Sequence, residues 1–436
     1  MFSHSVTRPI RTTAPDAGSG SAARADTKSP RLAPLVLATM AAQGLLVVLT
    51  PIMVEVAHEF GASVGPVGRA RAITAGSAVA ASIVVAGIIH RVGLRRLIAC
   101  GATLALVGSA TIATAPSLAA FLAAHGVTGI VFACLLSAGL AGVAAFPREQ
   151  SARAMGYVIG ANALAWIVVS PLSGVLTDAL SWRAALALPA ALALAALAAA
   201  RLAAPPSAVA GPRPRTGLLG GVSDQRARRW LVAELAAWFA WAAELTYGGA
   251  FLIERHAVSE STAGAMFAVA AAAFFLSSVR SAALTARFKR RRLIASSALA
   301  MGVLIPLQFN VAPSMWVTLA FLCVIALCSG VRSSTSAGLG LVQMPRRPST
   351  MMVAQTAVTQ LGYLLGALAG TGMLGSSGYA GLGLVLGVGL LVSALLVTRV
   401  ADPLQDRVSA SQPSEPTTVI ARPAGQSIQA AAESVG

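Results

Sequence analysis

Long apolar stretches dominate the pattern of hydrophobic and polar positions along the chain. Twelve of these stretches approach or exceed the roughly 20 residues that a helix needs to cross a lipid bilayer. They are residues 33–54, 68–90, 97–115, 117–144, 154–178, 183–203, 230–253, 262–284, 293–312, 315–341, 351–374 and 378–398. Runs such as 184–200 are apolar on every face, whereas the strands of a membrane barrel would alternate in polarity. The pattern predicts an all-α membrane protein with twelve spanning helices.

Polar segments divide these spans into two equal groups. The longest internal polar stretch is 204–229, which separates six spans in 33–203 from six in 230–398. Residues 1–32 and 399–436 are also polar, and the first of these tails lacks the short apolar core of a secretory signal. We therefore predict two six-helix bundles, a linker between them and two disordered tails, all three polar segments being cytoplasmic.

The charge distribution supports this orientation. Of all residues 56% are hydrophobic and 11% are charged, against about 25% charged in ordinary soluble domains, which excludes a typical soluble enzyme. The net charge is +17, but 26 basic residues and 8 acidic residues fall on the segments that we assign to the cytoplasm. The predicted external loops hold only Arg69, Arg71, Arg183 and Arg255. The positive-inside rule accounts for this asymmetry, so nucleic-acid binding is not needed to explain the basic balance.

The sequence offers little for catalysis or for a resident cofactor. The four cysteines, Cys100, Cys134, Cys323 and Cys328, lie in apolar runs without the spacing of a metal site. We find no nucleophile–base pair and no phosphate-binding loop, and therefore expect neither an enzyme nor a cofactor. The sequence also shows no ATP-binding motif, so an energy-dependent activity would draw on an ion gradient or on the gradient of a solute.

Two short sequences recur at nearly the same interval. Residues 95–99 (Arg-Arg-Leu-Ile-Ala) reappear at 291–295, and residues 115–117 (Ala-Pro-Ser) reappear at 312–314, offsets of 196 and 197 residues. The first pair precedes the third helix of each half, and the second pair lies between the third and fourth. Because each half has an even number of helices, the pattern predicts two parallel repeats.

Two parallel six-helix halves with a long central loop resemble the major facilitator superfamily, over about 33–398. The family motif between helices two and three, G-x-L-x-D-R-x-G-R-R, corresponds to 86–95, where Arg91, Gly93 and Arg95 match. The resemblance implies a major facilitator fold in which these cations bind helix carbonyls and hold a cytoplasmic gate. His90 replaces the acid of the motif. It is either drift in a degenerate loop or a group that titrates near neutral pH and tunes the gate.

Other short matches are similar to the drug-exporter branch of the superfamily. Trp182-Arg183 follows the fifth helix as in that branch. The helix-five pattern G-P-x-x-G-G survives as Pro171 and Gly174, and His125 stands where the antiporter pattern has an arginine. The resemblance implies a twelve-helix bacterial exporter of drugs or metabolites that exchanges its substrate for protons.

Charges inside predicted spans are costly and therefore candidates for function. In the seventh span, Glu234 lies about one turn from the cytoplasmic end and can reach water, whereas Glu244 cannot. Arg332 is the one deep cation of the predicted spans. In the family, the first and fourth helices of each half line the central cavity, which implies that Glu244 and Arg332 face it together. They would form either a structural ion pair or a switch that opens when Glu244 binds a proton.

Aromatic and polar residues complete the predicted cavity. Trp238 and Trp241 share one arc of the seventh span with both carboxylates, an arrangement that suits an amphipathic substrate, including a cationic one. The alternative is that both rings only pack against neighbouring helices. Further polar candidates lie on other spans and would bind substrate or join helices, namely Gln43, Ser137 and Gln360.

These features favour a secondary active transporter of the bacterial inner membrane. We predict a monomeric exporter of small amphipathic compounds that works by alternating access and proton antiport. Its partners would be the substrate, protons and the lipid bilayer. Three alternatives stay open: a sugar or metabolite exporter on the same fold, an uptake permease, and a non-transporting membrane receptor or scaffold.

Overall fold

The computed structural model describes residues 32–143, 146, 148–202, 225–344 and 348–402. The two predicted tails lie almost entirely outside these residues, as does most of the predicted linker 204–229. The described ranges fold into helices without a strand. These are α1 (Ala33–Val47), α2 (Leu49–Glu59), α3 (Val64–Val92), α4 (Leu94–Ala113), α5 (Leu118–Gly142), α6 (Arg148–Ala179), α7 (Trp182–Ala185), α8 (Ala187–Leu202), α9 (Gln225–His256), α10 (Glu260–Arg287), α11 (Arg290–Val311), α12 (Met315–Gln343), α13 (Pro348–Ser376) and α14 (Gly378–Thr398).

The helices reproduce the twelve predicted spans. Helices α1 and α2 together form the first span, α7 and α8 form the sixth, and every other span is one helix. Within the described residues, eleven spans are long and apolar enough to cross a membrane. The twelfth is α9, whose 32 residues include the carboxylates and tryptophans that lower its hydropathy. The prediction of an all-α protein with twelve long helical spans is confirmed.

The two sequence repeats perform equivalent structural tasks. Ser117 and Ser314 each precede a helix, and each side chain accepts a hydrogen bond from a backbone N–H of the first turn. Such caps satisfy donors that a helix start leaves unpaired. Arg95 donates to the carbonyl of Arg201 at the end of α8 (3.4 Å), and Arg291 donates to the carbonyl of Val400 after α14 (3.3 Å). Each repeat therefore ties the start of its third span to the end of its sixth.

We call the end of the bundle next to the central linker the linker face and the opposite end the far face. The linker face holds residues 32, 93, 202 and 225, and the far face holds the short loops after α2, α4, α6, α9, α11 and α13. The first half is α1–α8 and the second half is α9–α14. The halves meet mainly where α6 packs along α10 and where α13 packs along α3.

The halves are closed around α9 at the far face. All residues of this helix from Ala240 to Leu252 are buried, whereas Val232 and Trp238 in its linker-face portion are exposed or partly exposed. Three hydrogen bonds that join the halves also lie toward the far face: Thr50 to the carbonyl of Leu245, Thr371 to the carbonyl of Gly65, and the backbone N–H of Ser261 to Asp178. The molecule is therefore closed at one end of the bundle and more open at the other.

Candidate functional site

A buried ion pair joins α9 to α12 in the second half. Arg332 Nη1 donates to Glu234 Oε1 at 2.8 Å, and the two side chains are 0% and 1% exposed. Glu234 lies nine residues from the start of α9, about 14 Å along the axis, so the pair is far inside the bundle. A charge pair at this depth holds only if further hydrogen bonds satisfy the remaining polar atoms.

Side chains one helical turn away supply such hydrogen bonds to both oxygens of Glu234, whereas Arg332 Nε has no partner among the described residues. Ser336, four residues after Arg332, donates to Glu234 Oε1 at 2.7 Å, and Trp238 Nε1 donates to Oε2 at 3.2 Å. Trp230 Nε1 in turn donates to the hydroxyl of Ser336 at 3.0 Å. A methyl group at Gly340 would lie 2.5 Å from the Trp230 ring, which is closer than real carbon contacts allow, so glycine makes room for that ring. The result is a continuous hydrogen-bond network between α9 and α12.

This geometry corrects two expectations from the sequence. Arg332 pairs with Glu234 instead of Glu244, and Glu234 does not reach toward water at the linker face. The physical reason is the start of α9 at Gln225, five residues before the predicted span, which places Glu234 about one and a half turns further from the end. Arg332 lies eleven residues from the end of α12, about 16 Å along that helix, and is therefore level with Glu234.

Glu244 is buried without a counter-charge. Its side chain is 0% exposed, Oε1 accepts a hydrogen bond from Gln308 Nε2 at 2.6 Å, and Oε2 has no partner among the described residues. Gln308 lies on α11 and was not among the predicted site residues. The signal that could have found it is one amide within an otherwise apolar run, Leu304–Phe309. Glu244 and Arg332 are both 0% exposed and do not pair with each other, contrary to the expectation that they face the central cavity together.

Two arginines enclose a pair of aromatic rings near the bundle centre. The Arg332 guanidinium carbon lies 5.8 Å from the centre of the Trp238 ring, which lies 6.0 Å from that of Tyr363. The guanidinium carbon of Arg71, from the first half, lies 5.9 Å from the Tyr363 ring. We call these four residues the arginine–aromatic ladder.

Arg71 does not belong to an external loop as the sequence analysis assumed. Helix α3 begins at Val64, four residues before the predicted span, so Arg71 lies two turns inside the helix. Its side chain is 2% exposed and donates to Thr50 Oγ1 at 3.4 Å. Arg69, two residues earlier, is exposed.

The other predicted cavity residues occupy different environments. Trp241 is buried and stacks on Phe274, with ring centres 6.5 Å apart, as the packing interpretation expects. Gln43 and Ser137 are partly exposed, whereas Gln360 is buried. Their roles in binding stay predictions. No three His, Cys, Asp or Glu side chains converge as a metal site within the described ranges.

The gate-loop residues surround the turn between α3 and α4. Gly93 has a φ of +78°, a left-handed conformation that explains the glycine of the motif. Arg91 and Arg95 are exposed, and Arg95 binds the end of α8 as the resemblance implies. His90 belongs to α3, but its side chain is outside what the structure describes.

The matching residues of the helix-five pattern, Pro171 and Gly174, lie where α6 contacts α10 near the far face. A methyl group at Gly174 would lie 2.6 Å from the backbone of Glu260 and Ser261, so α6 and α10 touch closely at this point. Pro171 lies opposite Gly264 in the same contact.

Other residues of the exporter resemblance have contacts inside the first half. Glu59 accepts hydrogen bonds from Trp182 and Arg183, which ties the end of α2 to α7. His125 is buried, with its ring nitrogen bonded to the carbonyl of Phe121 at 2.8 Å.

The described residues thus form twelve helical spans in two like halves, with charged groups buried between and within them. The family model of the Major Facilitator Superfamily matches residues 35–284 and, in a second overlapping match, residues 249–430. The chain belongs to this superfamily and is a multi-pass membrane protein of a transporter family.

Solved structures share the fold. One is the crystal structure of a bacterial homolog to the human lysosomal transporter Spinster, in an inward-facing and occupied conformation. The similarity has a TM-score of 0.68 at 17% identity and covers 86% of this chain and 97% of the other. At this identity the likeness shows the fold alone. No curated protein matches the chain.

Proposed function

We propose that this protein is a proton-coupled antiporter that exports small amphipathic compounds by alternating access. The observation that carries the proposal is the contrast along α9. Its far-face portion is buried on all sides by both halves, whereas its linker-face portion keeps a partly exposed Trp238 beside a buried ion pair. A helix sealed at one end and open at the other fits one state of a two-state transporter.

The contacts between the halves supply the element that must change. Three far-face hydrogen bonds and the tight approach of Gly174 to α10 would break when the halves rock into the opposite state. Such contacts are few enough to be exchanged for contacts at the linker face. Parallel repeats of this kind rock around a site near the bilayer midplane.

Glu244 is our candidate for proton coupling. An isolated carboxylate charge is very costly away from water, and the one hydrogen bond from Gln308 does not balance it. The group is therefore suited to carry a proton in one state and to release it in the other. Arg332 is already neutralised by Glu234, so the paired carboxylate is less suited to this task.

The charge distribution supports a plasma-membrane protein with the linker face toward the cytoplasm. We propose a bacterial inner-membrane monomer with both termini inside. Cysteine labelling in intact cells tests this orientation: a cysteine at exposed Arg96 on the linker face should resist an impermeant reagent, and one at exposed Pro116 on the far face should react. The reverse pattern would contradict the orientation.

Flux in proteoliposomes tests the function itself. Purified protein is reconstituted, a pH gradient is imposed in either direction, and a panel of amphipathic cations, anions, neutral compounds and sugars is screened for uptake. We expect at least one amphipathic compound to move against the proton flow and to stop when an ionophore collapses the gradient. Movement with the proton flow would instead indicate an uptake permease, and transport of sugars only would indicate a metabolite exporter. Absence of flux for every compound would favour a receptor or scaffold.

A further inference from the structure

Arg71 is a buried cation that the protein does not neutralise. It is 2% exposed, and no carboxylate within the described ranges forms a salt bridge with it. Its Nε has no hydrogen-bond partner there, and the one hydrogen bond of its guanidinium among the described residues is the long bond of 3.4 Å to Thr50. An ionised group without a partner is very costly inside a membrane protein, so such residues mark sites of function.

The direction in which the Arg71 side chain points also indicates a functional role. Its helix position is seven residues from the far-face end of α3, about 10 Å along the axis, from which an arginine could extend toward water. The guanidinium instead contacts the ring of Tyr363, which lies thirteen residues from the far-face end of α13, about 20 Å. The charge therefore points toward the bundle centre, which lipid or water alone would not favour.

The groups around this charge are suited to an amphipathic molecule. Tyr363 and Trp238 are both partly exposed and present ring surface next to the guanidinium. Beyond them, Arg332 has its charge balanced by Glu234, so it adds no net charge to the ladder. The ladder thus combines one net positive charge from the first half with apolar ring faces from the second half.

We propose that the arginine–aromatic ladder binds the anionic group of the substrate, a carboxylate or a phosphate, on Arg71, while Trp238 and Tyr363 hold its apolar part. Planar guanidinium groups bind both anions through paired hydrogen bonds. The inference rests on the proposed transport function and narrows its substrate class to amphipathic anions. An amphipathic cation would meet Arg71 with repulsion, and both nearby carboxylates are enclosed by the second half.

A binding experiment without any gradient tests this site separately from transport. Full-length protein in lipid nanodiscs is titrated by calorimetry with four probes that share one apolar part: 4-phenylbutyrate, 4-phenylbutyl phosphate, 4-phenylbutylamine and 4-phenylbutanol. We expect one or both anions to bind at least tenfold more tightly than the amine and the alcohol. The comparison of the two anions shows whether the site favours a carboxylate or a phosphate.

Variants of neighbouring arginines provide the matched controls. Arg71→Gln should remove the preference for anions to within about threefold, and Arg71→Lys should keep part of it because the charge remains. Arg69→Gln removes an exposed charge from the same helix and should leave the preference unchanged. Size-exclusion profiles and melting temperatures establish that each variant is folded, and Arg71→Lys keeps the test usable if Arg71→Gln is not.

Several results would overturn the inference. Equal binding of all four probes, preference for the amine, binding of none of them, or an anion preference that survives in folded Arg71→Gln would each do so. These outcomes are distinct from failure of the proposed function. Loss of the site with intact proton-driven flux removes only the anion site, whereas anion binding without any flux removes the transport proposal.

Discussion

Two carboxylates on the same helix meet opposite environments. Glu234, in the linker-face portion of α9, pairs with Arg332 and accepts two further hydrogen bonds from Ser336 and Trp238. Glu244, ten residues later, receives one hydrogen bond from the neutral Gln308 and leaves one oxygen without a partner in the described structure. The difference teaches that burial alone does not identify a proton carrier. Under the proposed function, the paired group joins α9 to α12, and the unpaired group is the candidate for carrying the proton.

Breaking the ion pair should give the largest effect. Arg332→Gln leaves the charge of Glu234 buried without its counter-charge, and we expect a loss of about 3–5 kcal/mol in the free energy of unfolding. Thermal and denaturant unfolding in detergent measure this loss. The double variant Glu234→Gln and Arg332→Gln should recover much of it, since no bare charge remains. Losses that simply add in the double variant would show that the two residues do not act as a pair.

Removing the unpaired carboxyl should affect transport instead of stability. Glu244→Gln keeps the shape of the side chain and its position near Gln308, so we expect a change of less than about 1 kcal/mol in stability. Proton-driven flux should fall by roughly 100-fold, equivalent to about 2.7 kcal/mol. Glu254→Gln, an exposed position on the same helix, is the matched control and should transport normally. Normal proton-driven transport by Glu244→Gln would end the coupling proposal.

Replacing Gln308, whose amide contacts Glu244, should have an intermediate effect. Gln308→Leu removes the one hydrogen bond to this carboxyl, a contact whose loss we expect to cost about 1–2 kcal/mol in stability. Flux assayed at several pH values should then depend on pH differently from the wild type. An unchanged stability and an unchanged pH profile would show that Gln308 does not influence Glu244.

The smallest effect should come from removing the indole N–H of Trp238, which donates a hydrogen bond to Glu234 of the ion pair. Trp238→Phe keeps an aromatic ring but removes the N–H that donates to Glu234, and we expect a loss of about 0.5–1.5 kcal/mol. Trp241→Phe is the control, because that ring stacks on Phe274 away from the pair. If the control destabilises as much as Trp238→Phe, loss of ring contacts explains the effect and the hydrogen bond does not.

The sequence predicted the helices well because long apolar runs leave a membrane chain few alternatives. It also predicted the equivalence of the repeats, and Ser117 and Ser314 indeed cap corresponding helices. Partner choice was predicted wrongly. Pairing of Arg332 depends on where α9 begins and how it is rotated against α12. An error of five residues placed Glu234 about one turn from the helix end, where it was expected to reach water instead of pairing with Arg332.

The same limit explains the two residues that sequence reasoning assigned poorly. Arg71 was counted with an external loop because it lies only three residues after the start of the predicted span at 68, although helix α3 begins at Val64. Gln308 was hidden within an apolar run because hydropathy averages over many positions. The environments of both residues depend on contacts between neighbouring helices. The periodicity of apolar positions along one chain does not predict those contacts.

The central claim is that the two halves open alternately at the two faces, and paired spin-label distances test it most directly. The four cysteines are replaced by alanine, and labels are attached at Arg96 and Arg292 on the linker face or at Pro116 and Pro313 on the far face, equivalent and exposed positions of the two repeats. Between alkaline and acidic buffer, and on addition of a transported compound, we predict that one distance shortens as the other lengthens. Distances that stay fixed, or that change in the same direction at both faces, would contradict alternating access.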